Sequence, residues 1–405
     1  MKYPVVLSLV LVLIVSSFAF AGTNSAETKK WTFMIFLNAD NDLDTYSDWE
    51  IGDVAEMKRI GSSADVNIVV LHDRKSKPAM LLYIKKGEVQ VLETLGKVDM
   101  GDYRELAKFG KWAVEKFPAE HYLLDIWNHG DGWQKRKKID QRGISYDYSS
   151  GHYINTPQLG TAIAEISAAA GKKIDVFGMD ACQMQMMEVV YEVKDYTNFV
   201  VASEEAEPAT GWPYHLVLKP LVDNPAISAE EFSKVIVNAY GAAYPGDMPP
   251  VTMSAVDCSK IDAVYDKLDV VGKLLAPKVG EAGFDSSMIK VVKNLAWYDD
   301  NTYDLVHFCQ LLTAENIDEK INNALSELYA VLAGLPSKAI IANIWRNDFE
   351  KNSNGLSIYF PQNYTTLTLD YYALKFSKNS WTTFIKTYLE AGKAKVRHAQ
   401  RLNAK

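Results

Sequence analysis

From Trp31 onward, short apolar runs alternate with amphipathic stretches, a pattern that predicts strands separated by helices. The spacing predicts strands over 32–37 and 66–71 with a helix over 46–60 between them, then a hairpin of 81–84 and 89–92 around Lys86-Gly87. A helix over 103–116, stopped by Pro118, precedes a strand over 122–127. Thr156 opens the next helix with Pro157 in its first turn, where a missing N–H is harmless. Strands over 174–179 and 199–202 follow, with a helix over 183–193 between them. These strands are apolar on both faces, so the expected fold is α/β, a mostly parallel central sheet sandwiched by helices.

Beyond about Asn224 the pattern becomes mainly helical, with segments over 229–240, 259–275, 288–297 and 317–335. Runs over 251–256 and 356–360 interrupt it as strands, the second after the turn pair Asn354-Gly355. The expected organisation is a core over 22–222, a helix-rich C-terminal part over 223–390 packed on it, and a polar basic tail over 391–405.

Residues 1–21 read differently. Lys2, an apolar run over 5–15 broken only by Ser8, and Ala19-Phe20-Ala21 follow the order of a secretory signal, with cleavage expected after Ala21. That run is too short for a bilayer span, so export without stable membrane insertion is expected. The formal net charge of −8 argues against a nucleic-acid partner. In an oxidising compartment the three cysteines, Cys182, Cys258 and Cys309, cannot all pair within the chain. A Cys258–Cys309 bridge would stabilise by roughly 4 kcal/mol in the chain-entropy model, and the alternative for each is a small buried hydrophobe.

Two predicted strands end in polar residues at the rim where parallel sheets bind ligands. The strand over 122–127 runs into Asn128-His129-Gly130-Asp131-Gly132-Trp133, and the strand over 174–179 into Asp180-Ala181-Cys182. Glycines beside His129 permit close backbone approach, and a helix starting just after Cys182 would favour its thiolate. One helical crossover fits between the two residues, which would place them on adjacent strand ends. There a Cys182 thiolate would attack a carbonyl carbon and His129 would protonate the leaving amine, with the N–H groups of Gly130 and Cys182 as the candidate oxyanion holders. His72, also at a strand end, is the rival base.

Asp180 should project to the same side as Cys182 in an extended segment. A carboxylate there opposes thiolate formation unless a cation arrives, and Lys or Arg in a substrate would supply it. The other reading of Asp180 is a helix cap. Glu204, Glu205 and Glu207 follow the next strand and either add acidity to that pocket or form a solvated loop.

His129-Gly-Asp-Gly-Trp133, Asp180-Ala-Cys-Gln-Met184 and Ser203-Glu-Glu-Ala-Glu-Pro-Ala-Thr-Gly-Trp-Pro213 resemble the clostripain family of cysteine peptidases, in the caspase-like group. Asn38-Ala-Asp-Asn-Asp-Leu-Asp44 and Gly355-Leu-Ser-Ile-Tyr-Phe-Pro361 extend the likeness over about 31–387. The resemblance implies a caspase-like fold and cleavage of protein or peptide substrates after Lys or Arg. It implies Cys182 as nucleophile, His129 as acid and base, and Asp180 in the pocket for the basic side chain, with Glu207 a further candidate there. Members are often made as precursors that cut themselves, and Lys135-Arg-Lys-Lys138 and Arg142 offer basic processing sites, Lys138 and Arg142 foremost.

No cofactor is needed for this chemistry. Calcium dependence belongs to the family's type member, and Asp40, Asp42 and Asp44 alternate as in a calcium loop, but they lack an EF-hand's Gly and terminal Glu, so capping of the following helix is the preferred reading. Zinc spacing, a phosphate-binding Gly-rich loop and a G-x-S-x-G elbow are all missing. The alternatives to a peptidase are a catalytically silent binding protein of the same fold and a transpeptidase using the same acyl-enzyme.

Overall fold

The apolar runs form the centre of one large sheet. In a computed structural model describing residues 27–133, 143–246, 249–299, 301–336, 338–361 and 367–403, the strands are β1 (Lys29–Ala39), β2 (Val66–Arg74), β3 (Lys77–Lys85), β4 (Glu88–Gly96), β5 (Ala119–Trp127), β6 (Ile144–Asp147), β7 (His152–Ile154), β8 (Ile174–Asp180), β9 (Thr197–Ala202), β10 (Val251–Asp257), β11 (Trp297–Asp299), β12 (Thr302–Asp304), β13 (Ile340–Arg346) and β14 (Ser357–Tyr359). Nine of them pair in the order β13-β10-β9-β8-β5-β1-β2-β3-β4. The five central strands, β9, β8, β5, β1 and β2, run parallel, and each edge adds two antiparallel strands.

Because successive side chains of a strand point to opposite faces, β1 fills two cores at once. Met34 and Phe36 pack with Leu124, Ile126 and Phe177 on one face, while Phe33, Ile35 and Leu37 pack with Leu123 and Val176 on the other. The short helix α1 (Asp42–Ser47) leaves the end of β1, and α2 (Trp49–Ile60) covers the second face, whereas α3 (Tyr103–Lys116), α4 (Thr156–Ala170) and α5 (Met187–Val193) cover the first. The helices α6 (Tyr214–Asp223) and α7 (Ala229–Ala243) complete the second. Burying each large apolar side chain in this way stabilises by roughly 1.5–3 kcal/mol.

The remaining helices, α8 (Ile261–Leu275), α9 (Ala282–Asn294), α10 (Leu305–Ala314), α11 (Glu319–Ala333), α12 (Leu369–Ala373) and α13 (Ser380–Asn403), make the C-terminal part helix-rich. The sheet itself does not stop at residue 222, since β10 and β13 extend it. The polar tail from Ala391 continues the backbone of α13 to Asn403. No helix among the described residues is long and apolar enough to cross a membrane.

Three local expectations are corrected. The helix over 46–60 is split at Asp48, which takes a left-handed φ of 48°, where Arg74 gathers Asp44, Asp48 and Glu50. The helix over 183–193 starts only at Met187, because Gln183 has φ 59° and the amides of Gln183 and Gln185 pair with Glu205 O and Ser203 O. Cys258 and Cys309 do not bridge but are separate buried thiols whose pKa values burial pushes up. The signal segment 1–21 and the processing residues Lys138 and Arg142 lie outside the described residues.

Candidate active site

His129 and Cys182 leave the sheet on neighbouring strands. In the β5–β8 register Trp127 lies opposite Asp180, and the Asn128 N–H donates to Asp180 O at 3.2 Å, so the two connections are joined where they begin. Gly130 permits their close approach, because a Cβ there would stand 2.5 Å from Cys182 O. Its neighbours Asp131 and His129 pair with Gly143 and Ser145 around the Gly130–Ile144 bridge. In such an antiparallel ladder the intervening residue does not spend its own N–H on the partner strand.

Cys182 is half-buried and stands without a helix behind it, contrary to the helix-end activation expected from the sequence. A different donor serves the sulfur. The Glu207 N–H, on the connection after β9, donates to Cys182 Sγ at 3.2 Å, and the thiol faces Glu207 O at 3.9 Å. An amide aimed at the sulfur favours its charged form.

His129 is oriented from the far side by Asp42, whose Oδ1 lies 2.8 Å from His129 Nε2. That contact holds the Asp42 carboxyl down at about 2, with the hydrogen bond from His129 the largest cause. His72, the rival base, lies two residues before the end of β2, which is separated from β5 by β1. Burial and the Arg74 charge lower its pKa to about 4, so it makes a poor base at neutral pH.

A cleft of about 90 Å³ is lined by Leu43, His129, Asp180, Cys182, Glu207 and Gly211, among others. A wider polar cleft of about 350 Å³ between Asp99 and Gln158 contains neither His129 nor Cys182. Inside the smaller cleft Asp180 is only 4% exposed. Its Oδ2 accepts the Trp212 N–H and the Tyr214 hydroxyl, each at 3.0 Å, so it does not cap the next helix. Glu207 faces Asp180, its carboxylate oxygens are shielded from solvent, and the two carboxyl groups share a hydrogen bond. Burial raises both carboxyls, and Asp180 and Cys182 push Glu207 further. Gly211, at φ 52°, makes room here, since a Cβ would lie 2.7 Å from either Asp180 oxygen.

The other acidic candidates are placed elsewhere. Glu204 is buried, with its carboxylate accepting the Gly355 N–H at 2.8 Å beside Asp304, while Glu205 accepts the adjacent Ala206 N–H at 2.6 Å. Asp40, Asp42 and Asp44 do not share a loop site. Asn41 caps α1, Asp42 reaches His129, and Asp44 joins Arg74. Asp40 instead meets Asp73 and Asp147, with one oxygen from each within 4.8 Å of the others, and Lys97 Nζ 3.3 Å from Asp40 already brings a cation there.

Sequence reasoning missed the contact between Asp42 and His129 and the Glu207 amide. The signal for the first was the strand-end position of the 38–44 motif, while the second had no sequence signal, because any non-proline residue has an N–H.

A thiol and an imidazole on adjacent strand ends of a helix-covered parallel sheet, beside an acidic cleft, define a cysteine peptidase of the caspase-like type. The chain belongs to the Clostripain family, whose sequence pattern matches residues 35–390. It is 22% identical to clostripain of Hathewaya histolytica over an alignment covering 90% of this chain and 81% of that protein. Its fold is similar to a secreted C11 cysteine protease of Bacteroides thetaiotaomicron solved with an irreversible peptide inhibitor (TM-score 0.66, 19% identity, 87% of this chain and 99% of the other). It is also similar to an inactive zymogen C11 protease of Parabacteroides distasonis (TM-score 0.65, 19% identity, 88% and 99%).

Proposed function

We propose that the protein is an exported endopeptidase that cuts after Lys or Arg and matures by cutting its own 135–142 segment. The observation that carries the specificity is the pair Asp180 and Glu207, two carboxylates turned into the cleft that holds Cys182. A buried acidic pair is unfavourable when empty, and a P1 guanidinium or ammonium offsets it. The basic stretch Lys135 to Lys138 and Arg142 supplies substrates of that kind within the chain. The likeness to a protein solved as an inactive zymogen supports maturation by cleavage, and the likeness to a secreted protease supports export.

In this reading Asp42 holds His129 Nε2 and leaves Nδ1 for the reaction. The Cys182 thiolate, assisted by the Glu207 N–H, attacks the scissile carbonyl carbon. The Gly130 and Cys182 amides receive the oxyanion. The imidazolium gives its proton to the leaving amine as the C–N bond breaks, and then takes one from the water that hydrolyses the thioester. Turnover of fluorogenic peptides with Arg, Lys, Asp or Ala at P1 tests the specificity. Asp180→Asn should lower kcat/KM for basic peptides by roughly 100-fold or more while iodoacetamide alkylates Cys182 at least as fast as in wild type. An unchanged P1 preference would refute the role of Asp180.

A further inference from the structure

Leu123, Asp125 and Trp127 project from β5 to the same face, and Leu123 and Trp127 lie there in an apolar core with Val176, Trp212 and Tyr214. Asp125 is 0% exposed in that setting. Packing alone would favour an apolar residue, because an ionised carboxylate there is costly, and burial together with Asp180 raises its pKa. The contacts of Asp125 lead to the cleft. The Tyr214 hydroxyl lies 2.6 Å from Asp125 Oδ2 and 3.0 Å from Asp180 Oδ2, and the Asp180 N–H donates to Asp125 Oδ1 at 3.2 Å. Gly178 stands opposite Asp125 in the β8 register, where a Cβ would come within 2.9 Å of Asp125 Oδ1 and 2.7 Å of the Trp212 ring. Other titratable groups acting here are Glu207, whose carboxyl shares a hydrogen bond with Asp180, and Asp53, held by Trp127 Nε1 at 2.8 Å.

Tyr214 has one proton and two carboxylates within reach. If Asp125 is ionised, that proton goes to the nearer oxygen, on Asp125, and Asp180 loses it. If Asp125 is a carboxylic acid, its own O–H donates to the Tyr214 oxygen and the Tyr214 O–H donates to Asp180. We propose that Asp125, held as the acid, and Tyr214 are positioning residues of the P1 pocket, a two-step donor chain that keeps Asp180 ionised with Oδ2 tied back and Oδ1 presented to the substrate cation. This rests on the reading of Asp180 as the P1 carboxylate.

The test uses the mature enzyme, Arg-P1 and Ala-P1 peptides, and iodoacetamide. Tyr214→Phe, which removes one oxygen, should raise KM for the Arg peptide about tenfold or more, with kcat and the alkylation rate of Cys182 within twofold of wild type. Asp125→Asn, whose amide still donates to Tyr214, should keep KM within about threefold of wild type, and Asp125→Leu, which leaves the Tyr214 O–H no acceptor but Asp180, should raise KM less than Tyr214→Phe does. The double variant Asp125→Leu/Tyr214→Phe should be no worse than Tyr214→Phe alone. A KM within twofold of wild type in Tyr214→Phe overturns the proposal, as does a multiplicative loss in the double variant. So does an equal fall in kcat and alkylation, which marks a structural role. If Asp125→Leu does not fold, Tyr214→Phe and Asp125→Asn still decide. A wild type that does not prefer Arg over Ala refutes the P1 reading itself, whereas a wild-type preference kept intact in Tyr214→Phe refutes only the donor chain.

Discussion

Asp42 Oδ1 and His129 Nε2 lie 2.8 Å apart, although 87 residues separate them in the chain. The contact spans from the end of β1 to the end of the adjacent β5 and engages Nε2 of the ring. With its pKa at about 2, Asp42 is charged throughout the working range, and the proposed mechanism uses that charge to orient the imidazole. Asp42→Ala is expected to lower kcat roughly 10- to 100-fold and leave KM within twofold. Asp42→Asn, which keeps a hydrogen-bonding oxygen, should lose less. Steady-state kinetics on both variants check this, and an unchanged kcat in Asp42→Ala would remove Asp42 from the catalytic apparatus.

Gly130 sets the spacing of the connections that carry His129 and Cys182. A methyl group there must displace Cys182 O, 2.5 Å away, and Ala181 Cβ, 3.0 Å away. Gly130→Ala should therefore reduce kcat/KM by about 100-fold or more while circular dichroism shows the sheet intact. Wild-type turnover in that variant would mean that the connections do not meet as closely as described.

The central strands were legible because β1, β2, β5 and β8 are buried on both faces and read as mainly apolar runs, each broken by no more than a polar residue or two. Their rim residues were legible for the same reason: a strand of clear length also shows where it ends, and His129 and Cys182 follow those ends directly. Segments whose structure depends on distant partners were not legible. Residues 183–186 have helical composition, but Glu205, Ser203 and Ser357 claim their backbone groups, and α5 starts late. Edge strand β13 mixes Asn343 and Arg346 with apolar residues, so it lacks the signature of a covered strand. Asp42 looked like a cap because capping is local, and its partner arrives from another strand.

The buried carboxylates give stability a pH dependence of defined sign. Glu188 accepts the Tyr359 N–H at 3.1 Å through Oε1, its Oε2 is buried without a donor, and burial raises its pKa to about 8 from an ordinary 4.5. The folded state therefore holds this proton more tightly than the unfolded chain does. Its contribution is fully present below about pH 4.5 and is lost as pH rises to about 8. Glu188→Gln, which cannot ionise, should melt at or slightly below the wild-type temperature at pH 5 and several degrees above it at about pH 8.5. Equal pH dependence of Tm in the two proteins would show that Glu188 does not carry this proton.

The most direct test of the peptidase account is intact mass, measured together with cleavage of Arg, Lys, Asp and Ala P1 peptides, on purified wild type and Cys182→Ala. The account predicts that wild type is cut within 135–142 and turns over only the basic peptides, while Cys182→Ala stays whole and silent. Thiol-dependent turnover in Cys182→Ala would contradict it, and so would a wild type that stays whole and silent with and without reductant and calcium.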